Sequence, residues 1–199
     1  WLLFAYVAVL LLTMIVHLFR EKVNAVESWG NLCAGQLMIA LPFALMSGVV
    51  FHHKWLMLAL FILIWVNDSG AYIVGSLMSK RKGGNHKMFP RVSPAKSWEG
   101  LIGGFVFDLI AGYVFFRVGW TASLGLTAYP LLDSLLFALV VGVFGTLGDL
   151  MESLMKRTVG VKDSGRFMPG HGGVLDRFDS LLLAVPVTYF FFVYLPTIL

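Results

Sequence analysis

Apolar positions in this chain fall in long, nearly unbroken stretches separated by short polar segments. Runs of that length predict helices, because a helix needs about 20 predominantly apolar residues to cross the hydrocarbon core of a bilayer. Six spans are expected: about 1–19, ended by Arg20-Glu21-Lys22; 32–51, with Pro42 as a kink; 55–79, interrupted by Asn67-Asp68-Ser69-Gly70; 97–118; 131–155; and 174–195. The pattern carries no obvious internal repeat and no low-complexity tract. The expected fold class is all-α: a polytopic transmembrane helix bundle of about six spans, forming one membrane-embedded domain over residues 1–199.

Composition sharpens this reading. The chain is 58% hydrophobic and 13% charged, with a mean hydropathy of +0.83, whereas a soluble domain sits nearer half apolar and a quarter charged. In lipid the backbone must satisfy its own hydrogen bonds, so only helices or a closed barrel can span, and the long apolar runs select helices. The single cysteine, Cys33, excludes an internal disulfide and a cysteine-type metal site; it reads as inert helix lining. The chain opens with Trp-Leu-Leu-Phe, without an initiator Met, and no basic region or cleavage site marks a signal peptide. The expectation is the C-terminal portion of a longer chain.

Charge gives the spans an orientation. Arg20, Lys22, Lys80, Arg81, Lys82, Lys87, Arg91, Lys96, Lys156, Arg157, Lys162, Arg166 and Arg177 fall on one side of the expected bundle, and only Lys54 and Arg117 on the other. By the positive-inside rule the first side faces the cytoplasm. The segment Lys80-Arg81-Lys82-Gly83-Gly84-Asn85-His86-Lys87 reads either as an anchor on anionic lipid or as a lid over an anionic substrate.

The informative acids lie near the cytoplasmic ends of spans. Asp149, Glu152 and Lys156 are spaced i, i+3, i+7 and share a helical face. Gly142, Gly145 and Gly148 precede them at intervals of three and permit close approach of a neighbouring helix. Asp176 and Asp179, again i, i+3, open the last span. Between the two pairs runs a glycine-rich loop, and a loop leading into a helix start offers backbone N–H groups to phosphate. Carboxylates together with phosphate oxygens suit Mg²⁺, which keeps several waters. The competing reading is a plain salt-bridge network, Asp176 with Arg177 and Glu152 with Lys156. Intramembrane ionisable groups are rare and commonly mark a pathway or a reaction site. Asp68 sits mid-span, where it lines a cavity or hydrogen-bonds Asn67 or Ser69. Asp108, also mid-span, carries no firm assignment, and Asp133 reads as a helix-start residue. Ser93, Lys96 and Glu99 precede or open the fourth span as candidate phosphate and nucleotide contacts, with Ser97 a candidate helix cap. His171, between glycines, either bonds backbone or donates to phosphate or carboxylate.

Residues 153–179 resemble the signature of the phosphatidate cytidylyltransferases (CDP-diacylglycerol synthases). The matching residues are Ser153, Lys156-Arg157, Lys162-Asp163, His171-Gly172-Gly173 and Asp176-Arg177-Phe178-Asp179, all in register. Ser93-Pro94 with Lys96-Ser97-Trp98-Glu99-Gly100, and Asn67-Asp68 with Ala71-Tyr72, resemble the family's upstream motifs, so the likeness covers roughly residues 60–185. Met168 stands where a different aliphatic or aromatic side chain is expected. Members usually carry more N-terminal membrane helices, which agrees with a missing upstream portion.

The resemblance implies a reaction in which CTP and phosphatidic acid give CDP-diacylglycerol and pyrophosphate, with Mg²⁺ and a helping monovalent cation such as K⁺. It implies Asp149 and Asp176 as metal ligands with Asp179 and Glu152 next, and Lys162 and His171 beside the acids in the catalytic set. Lys156, Arg157, Lys162 and Arg177 would hold phosphates, while Asp68, Ser93, Lys96 and Glu99 would shape the nucleotide or lipid end. It further implies a homodimer in the inner (plasma) membrane of a bacterium, with no nucleic-acid partner. Two other readings stay open: the same chemistry on another lipid phosphate, and a cation transporter, which would need paired halves and polar groups reaching both faces.

Overall fold

The computed structural model describes residues 2–20, 24–52, 54–122, 124, 126–165 and 172–197. Its helices are α1 (Leu2–Val16), α2 (Ala25–Gly35), α3 (Leu41–His52), α4 (Lys54–Ser79), α5 (Trp98–Arg117), α6 (Pro130–Thr158) and α7 (Leu181–Tyr189). Strands β1 (Lys87–Phe89) and β2 (Ser93–Ser97) form an antiparallel hairpin between α4 and α5. Among the described residues, four helices are long and apolar enough to cross a membrane: Ala25–Phe51, Lys54–Ser79, Trp98–Arg117 and Pro130–Thr158. The chain is an integral membrane helix bundle. The expected first and sixth spans appear as shorter apolar helices, Val7–Phe19 and Leu181–Tyr194.

The chain divides into two compact units, residues 1–41 and 42–199. In the first, Asn24 caps α2 by accepting the Glu27 N–H at 3.3 Å. A π-turn at Gln36–Ala40 follows α2 directly; it falls just before Pro42, whose missing N–H and bulky ring disfavour a regular α-turn at that point.

The second unit holds the core, in which Leu56, Leu60, Leu63, Phe137, Val141 and Val185 are fully buried. Helix α4 runs unbroken through Asn67-Asp68-Ser69-Gly70, so the expected interruption is absent. The glycines there serve packing instead. A Cβ on Gly70 would lie 2.8 Å from the Phe107 ring, and one on Gly103 2.5 Å from Val74, so α4 and α5 cross at a distance only glycine allows. Gly148 does the same on α6: its Cβ would meet the Asp179 carbonyl at 2.6 Å and the Ser180 carbonyl at 3.0 Å. Residues 175–180, expected inside the last span, form a short 3₁₀ turn and a further turn ahead of α7. That turn keeps Asp176 and Asp179 out of the apolar helix and against the end of α6.

The hairpin was not legible as strand. Ser97 ends β2 and caps α5, its hydroxyl accepting the Gly100 N–H at 3.2 Å. The Glu99 carboxylate takes the His86 backbone N–H at 3.0 and 3.1 Å and contacts His86 Nδ1 at 2.6 Å. The hairpin is thereby tied to the first turn of α5, which fixes the position of Lys96.

Candidate active site

A cavity of about 380 Å³ opens between α4, the hairpin, α5 and α6. Asn67, Asp68, Tyr72, Lys96, Ser97 and Thr146 are among the residues that line it. Asp68 lies within electrostatic reach of Lys96 and Asp149. Lys96 Nζ pairs with Asp149 Oδ2 at 2.7 Å and reaches the Thr146 carbonyl at 3.4 Å. Ser153 donates its hydroxyl to Asp149 Oδ1 at 3.2 Å. Lys96 and Asp149 are 53 positions apart in sequence, and the hairpin is what brings them together.

A second ionic group stands at the end of α6. Lys156 Nζ lies between Glu152 Oε2 and Asp176 Oδ1, the latter at 2.6 Å. Glu152 is 1% exposed, and Lys156 supplies its counter-charge. Asp176 Oδ2 accepts the Ser164 N–H and hydroxyl, both at 2.9 Å, and the Gly173 N–H at 2.7 Å. Burial pushes the Asp176 carboxyl up, but the hydrogen bonds from Lys156, Gly173 and Ser164 outweigh it and hold the group well below the usual carboxylate range. One carboxylate therefore ties the two ends of the glycine-rich loop to α6. Gly172, at φ +81°, makes the turn that presents the Gly173 amide.

Asp179 differs. Burial first and the charge of Asp149 second push its carboxyl up to about 6, against hydrogen bonds from Ser180 alone, its N–H at 2.6 Å and its side chain. The charge of Asp68 acts in the same direction. Asp68, Asp149 and Asp179 are thus electrostatic neighbours on three different segments.

The sequence-predicted residues distribute as follows. Asp68 and Lys96 line the cavity, Asp149 is paired with Lys96, and Asp179 faces the same charges. Glu152, Lys156 and Asp176 form the adjoining group, so the Glu152–Lys156 half of the salt-bridge reading is present. The shared face of Asp149, Glu152 and Lys156 is divided between two partners, since Asp149 engages Lys96. Arg157 Nε reaches the Val92 carbonyl at 3.4 Å, and its terminal nitrogen the Val161 carbonyl at 3.3 Å, linking the loop to the hairpin. Ser93 is half-buried in β2, Glu99 holds His86, Lys162 is exposed in the loop, and Arg177 ends the 3₁₀ turn. His171 and Arg166 lie outside the described residues.

Sequence reasoning missed Ser164, which clamps Asp176, and the pair Asn67–Asp108, in which Asn67 Nδ2 donates to Asp108 Oδ2 at 2.5 Å. The Lys-Asp-Ser-Gly turn was a usable signal for Ser164, because Ser favours such turns. Asp133 accepts the Thr127 N–H at 3.1 Å, as expected of a helix-start acid.

The carboxylates gathered here already have partners of their own. Asp149 is paired with Lys96, Glu152 and Asp176 share the single charge of Lys156, and Asp179 is raised by burial and by like charge. Among the described residues no three His, Cys, Asp or Glu side chains stand together to hold an ion unaided. An ion here would complete its shell with phosphate oxygens and water, the usual habit of Mg²⁺.

Comparison with known proteins agrees with the residue pattern. The chain is 45% identical over 146 residues to a phosphatidate cytidylyltransferase of Haemophilus influenzae, covering 71% of this chain and 47% of that protein. It is 47% identical over 129 residues to one of Bacillus subtilis, covering 65% of this chain and 44% of that protein. A third, from Staphylococcus haemolyticus, is 46% identical over 128 residues, covering 64% and 45%. The chain spans about half the length of the curated relatives it matches. A sequence model of the cytidylyltransferase family matches residues 1–195, so the chain belongs to the cytidylyltransferase family.

Proposed function

We propose that the protein transfers CMP from CTP to phosphatidic acid, giving CDP-diacylglycerol and pyrophosphate. The observation that carries this reading is that Asp68 and Lys96 line the cavity, with Asp149 paired to Lys96, beside the Lys156–Asp176 group. Cations and acids from four segments converge there, which is what joining two phosphate anions requires. The curated relatives' names supply the substrates.

In this reading a phosphate oxygen of the lipid attacks the α-phosphorus of CTP, the bond to the β-phosphate breaks, and pyrophosphate leaves with the electron pair. Such transfers depend on positioning and electrostatics more than on covalent help from the protein. Lys96, in a half-buried ion pair, and Lys156, in a more deeply buried one, are charged donors poised to turn from carboxylate to phosphate. Arg157, Lys162 and Arg177 add positive charge for the phosphates, and His171 is assigned to act with them. Asp149, Asp176 and Asp179, with Glu152, would hold Mg²⁺, with K⁺ as a helper. The bound ion would supply charge stabilisation at the phosphates. Ser93 and Glu99 support the hairpin side of the nucleotide or lipid end.

In this reading the site faces the cytoplasm across a bacterial plasma membrane; the basic segments support that orientation and would attract CTP. The lipid would enter from the inner leaflet with its acyl chains left in the bilayer, and the protein would work as a homodimer. The test is Asp176→Asn in the full-length protein. The variant should insert and remain monodisperse while losing CDP-lipid formation; retained turnover would remove Asp176 from the reacting centre.

A further inference from the structure

Behind the cavity lies a polar contact that the proposed reaction does not use. Asp108 is 0% exposed, in the middle of α5. Its Oδ2 takes the Asn67 amide N–H at 2.5 Å, and its Oδ1 is buried without a hydrogen-bond partner. Room for the contact is made by glycine on both flanks. A Cβ on Gly142 would lie 2.1 Å from Asp108 Oδ2 and 3.0 Å from Asn67 Nδ2, and one on Gly104 2.9 Å from Asn67 Nδ2. Three helices are shaped around one amide. A buried carboxylic group held among apolar helices is costly, so mere packing would be better served by a hydrocarbon side chain of the same volume.

What Asp108 accomplishes is orientation. Asn67 has two faces, a donor and an acceptor. With Nδ2 held on Asp108, the oxygen is directed the other way, where the Thr146 hydroxyl donates to it at 3.4 Å. Asn67 and Thr146 both line the cavity, and Asp108 is not among the lining residues. The amide oxygen, not the nitrogen, is thereby turned towards Thr146, itself a lining residue of the cavity.

We propose that Asp108 is a positioning residue: it fixes the Asn67 amide so that its oxygen accepts a hydrogen bond from the substrate bound in the cavity. The inference rests on the cavity being the substrate site of the proposed reaction. Donors available on those substrates are the hydroxyls and amino group of the nucleotide and the P–OH of a singly ionised phosphate monoester. A residue that acts only through Asn67 has a distinctive energetic signature, because its effect vanishes once Asn67 is gone.

The test is a double-mutant cycle in the full-length protein with Asn67→Ala, Asp108→Ala and the pair. Three quantities are read: KM for CTP and for phosphatidic acid, kcat, and the thermal stabilisation conferred by each substrate. Asn67→Ala and Asp108→Ala should each raise KM for one and the same substrate by about tenfold, the loss expected for one buried hydrogen bond, and the pair should be no worse than about twice the single change. Equal factors from Asp108→Ala in both backgrounds, or a lowered melting temperature with unchanged KM, would overturn the proposal. Should Asp108→Ala not fold, Asp108→Asn keeps the shape and leaves the amide free to turn. It should raise the same KM at least about threefold, and only while Asn67 is present. Wild-type protein that is stabilised by the substrates but yields no CDP-lipid would sink the functional reading alone, with stabilisation then serving as the readout of the cycle. Wild type stabilised by neither substrate would sink both.

Discussion

Removing the Lys156 ammonium, as in Lys156→Met, should destabilise the protein strongly, and the structure says where the cost falls. Lys156 is 15% exposed and is shared by Glu152, 1% exposed, and Asp176, 11% exposed. Deleting one partner of a buried ion pair costs about 3–5 kcal/mol, because a charge is left uncompensated in a poor solvent. Asp176 keeps three hydrogen bonds from Ser164 and Gly173 without the lysine. Glu152 keeps less, since its Oε1 has no partner even in the intact protein. The loss is therefore concentrated on Glu152 and sits at the lower end, about 3 kcal/mol. For a chain of this length that corresponds to a fall of about 6–12 °C in melting temperature. Melting followed by size-exclusion chromatography of heated, detergent-solubilised protein reads it directly. Adding Glu152→Gln to Lys156→Met should recover at least about half the loss, because the amide needs no counter-charge. A melting point within about 2 °C of wild type, or no recovery in the pair, would refute the assignment of Lys156 as the counter-ion of a buried acid.

Two further predictions concern α6 and the turn it holds. Gly148→Ala would force a Cβ to within 2.6 Å of a backbone carbonyl that has no freedom to rotate away. It should cost about 1–3 kcal/mol and displace Asp179. Gly145→Ala meets only ordinary contacts at 3.7 and 3.8 Å, and should be neutral or stabilising by up to about 1 kcal/mol, since helical glycine is itself unfavourable. Comparable losses in both would show that spacing alone, not the Asp179–Ser180 approach, matters. Asp179, pushed up to about 6, should also shape the pH profile. Its anion is lost as pH falls through that value, so turnover should decline on the acid side and the decline should disappear in any residually active Asp179→Asn protein. The folded state binds this proton more tightly than the unfolded chain does, whose ordinary value is 3.8. Ionisation of this group therefore opposes folding, and its contribution to stability rises as pH falls from above 6 towards 4.

The spans were legible because lipid leaves the backbone no alternative to long apolar helices, and α4, α5 and α6 fall within a few residues of their expected limits. The break expected at Asn67-Asp68-Ser69-Gly70 failed for a physical reason. Those residues are weak helix formers in water, but α5 packs closely on Gly70 and the helix continues through them. The hairpin escaped notice because its strands have three and five residues, one with Pro94 inside and a register irregularity between Lys87 and Phe89. No apolar alternation of any length exists there to be read. Candidate site residues were found through their charge and spacing along one segment. Their partners were not, because Lys96–Asp149 joins the hairpin to a helix and Asn67–Asp108 joins two helices, pairings between distant segments which a one-dimensional pattern does not contain. Asp108 was the hardest: a lone mid-span acid declares that something satisfies it, but not what.

The central claim is that the cytidylyl group of CTP, with its α-phosphorus, passes to the phosphate of a lipid. Incubating the full-length protein with Mg²⁺ and phosphatidic acid, using CTP radiolabelled at the α-phosphorus in one sample and at the γ-phosphorus in another, tests it most directly. The account predicts that the α-label moves into the organic phase as CDP-diacylglycerol while the γ-label stays in water as pyrophosphate, one for one. Label from the γ-position in the lipid, or no lipid label from either, would contradict it.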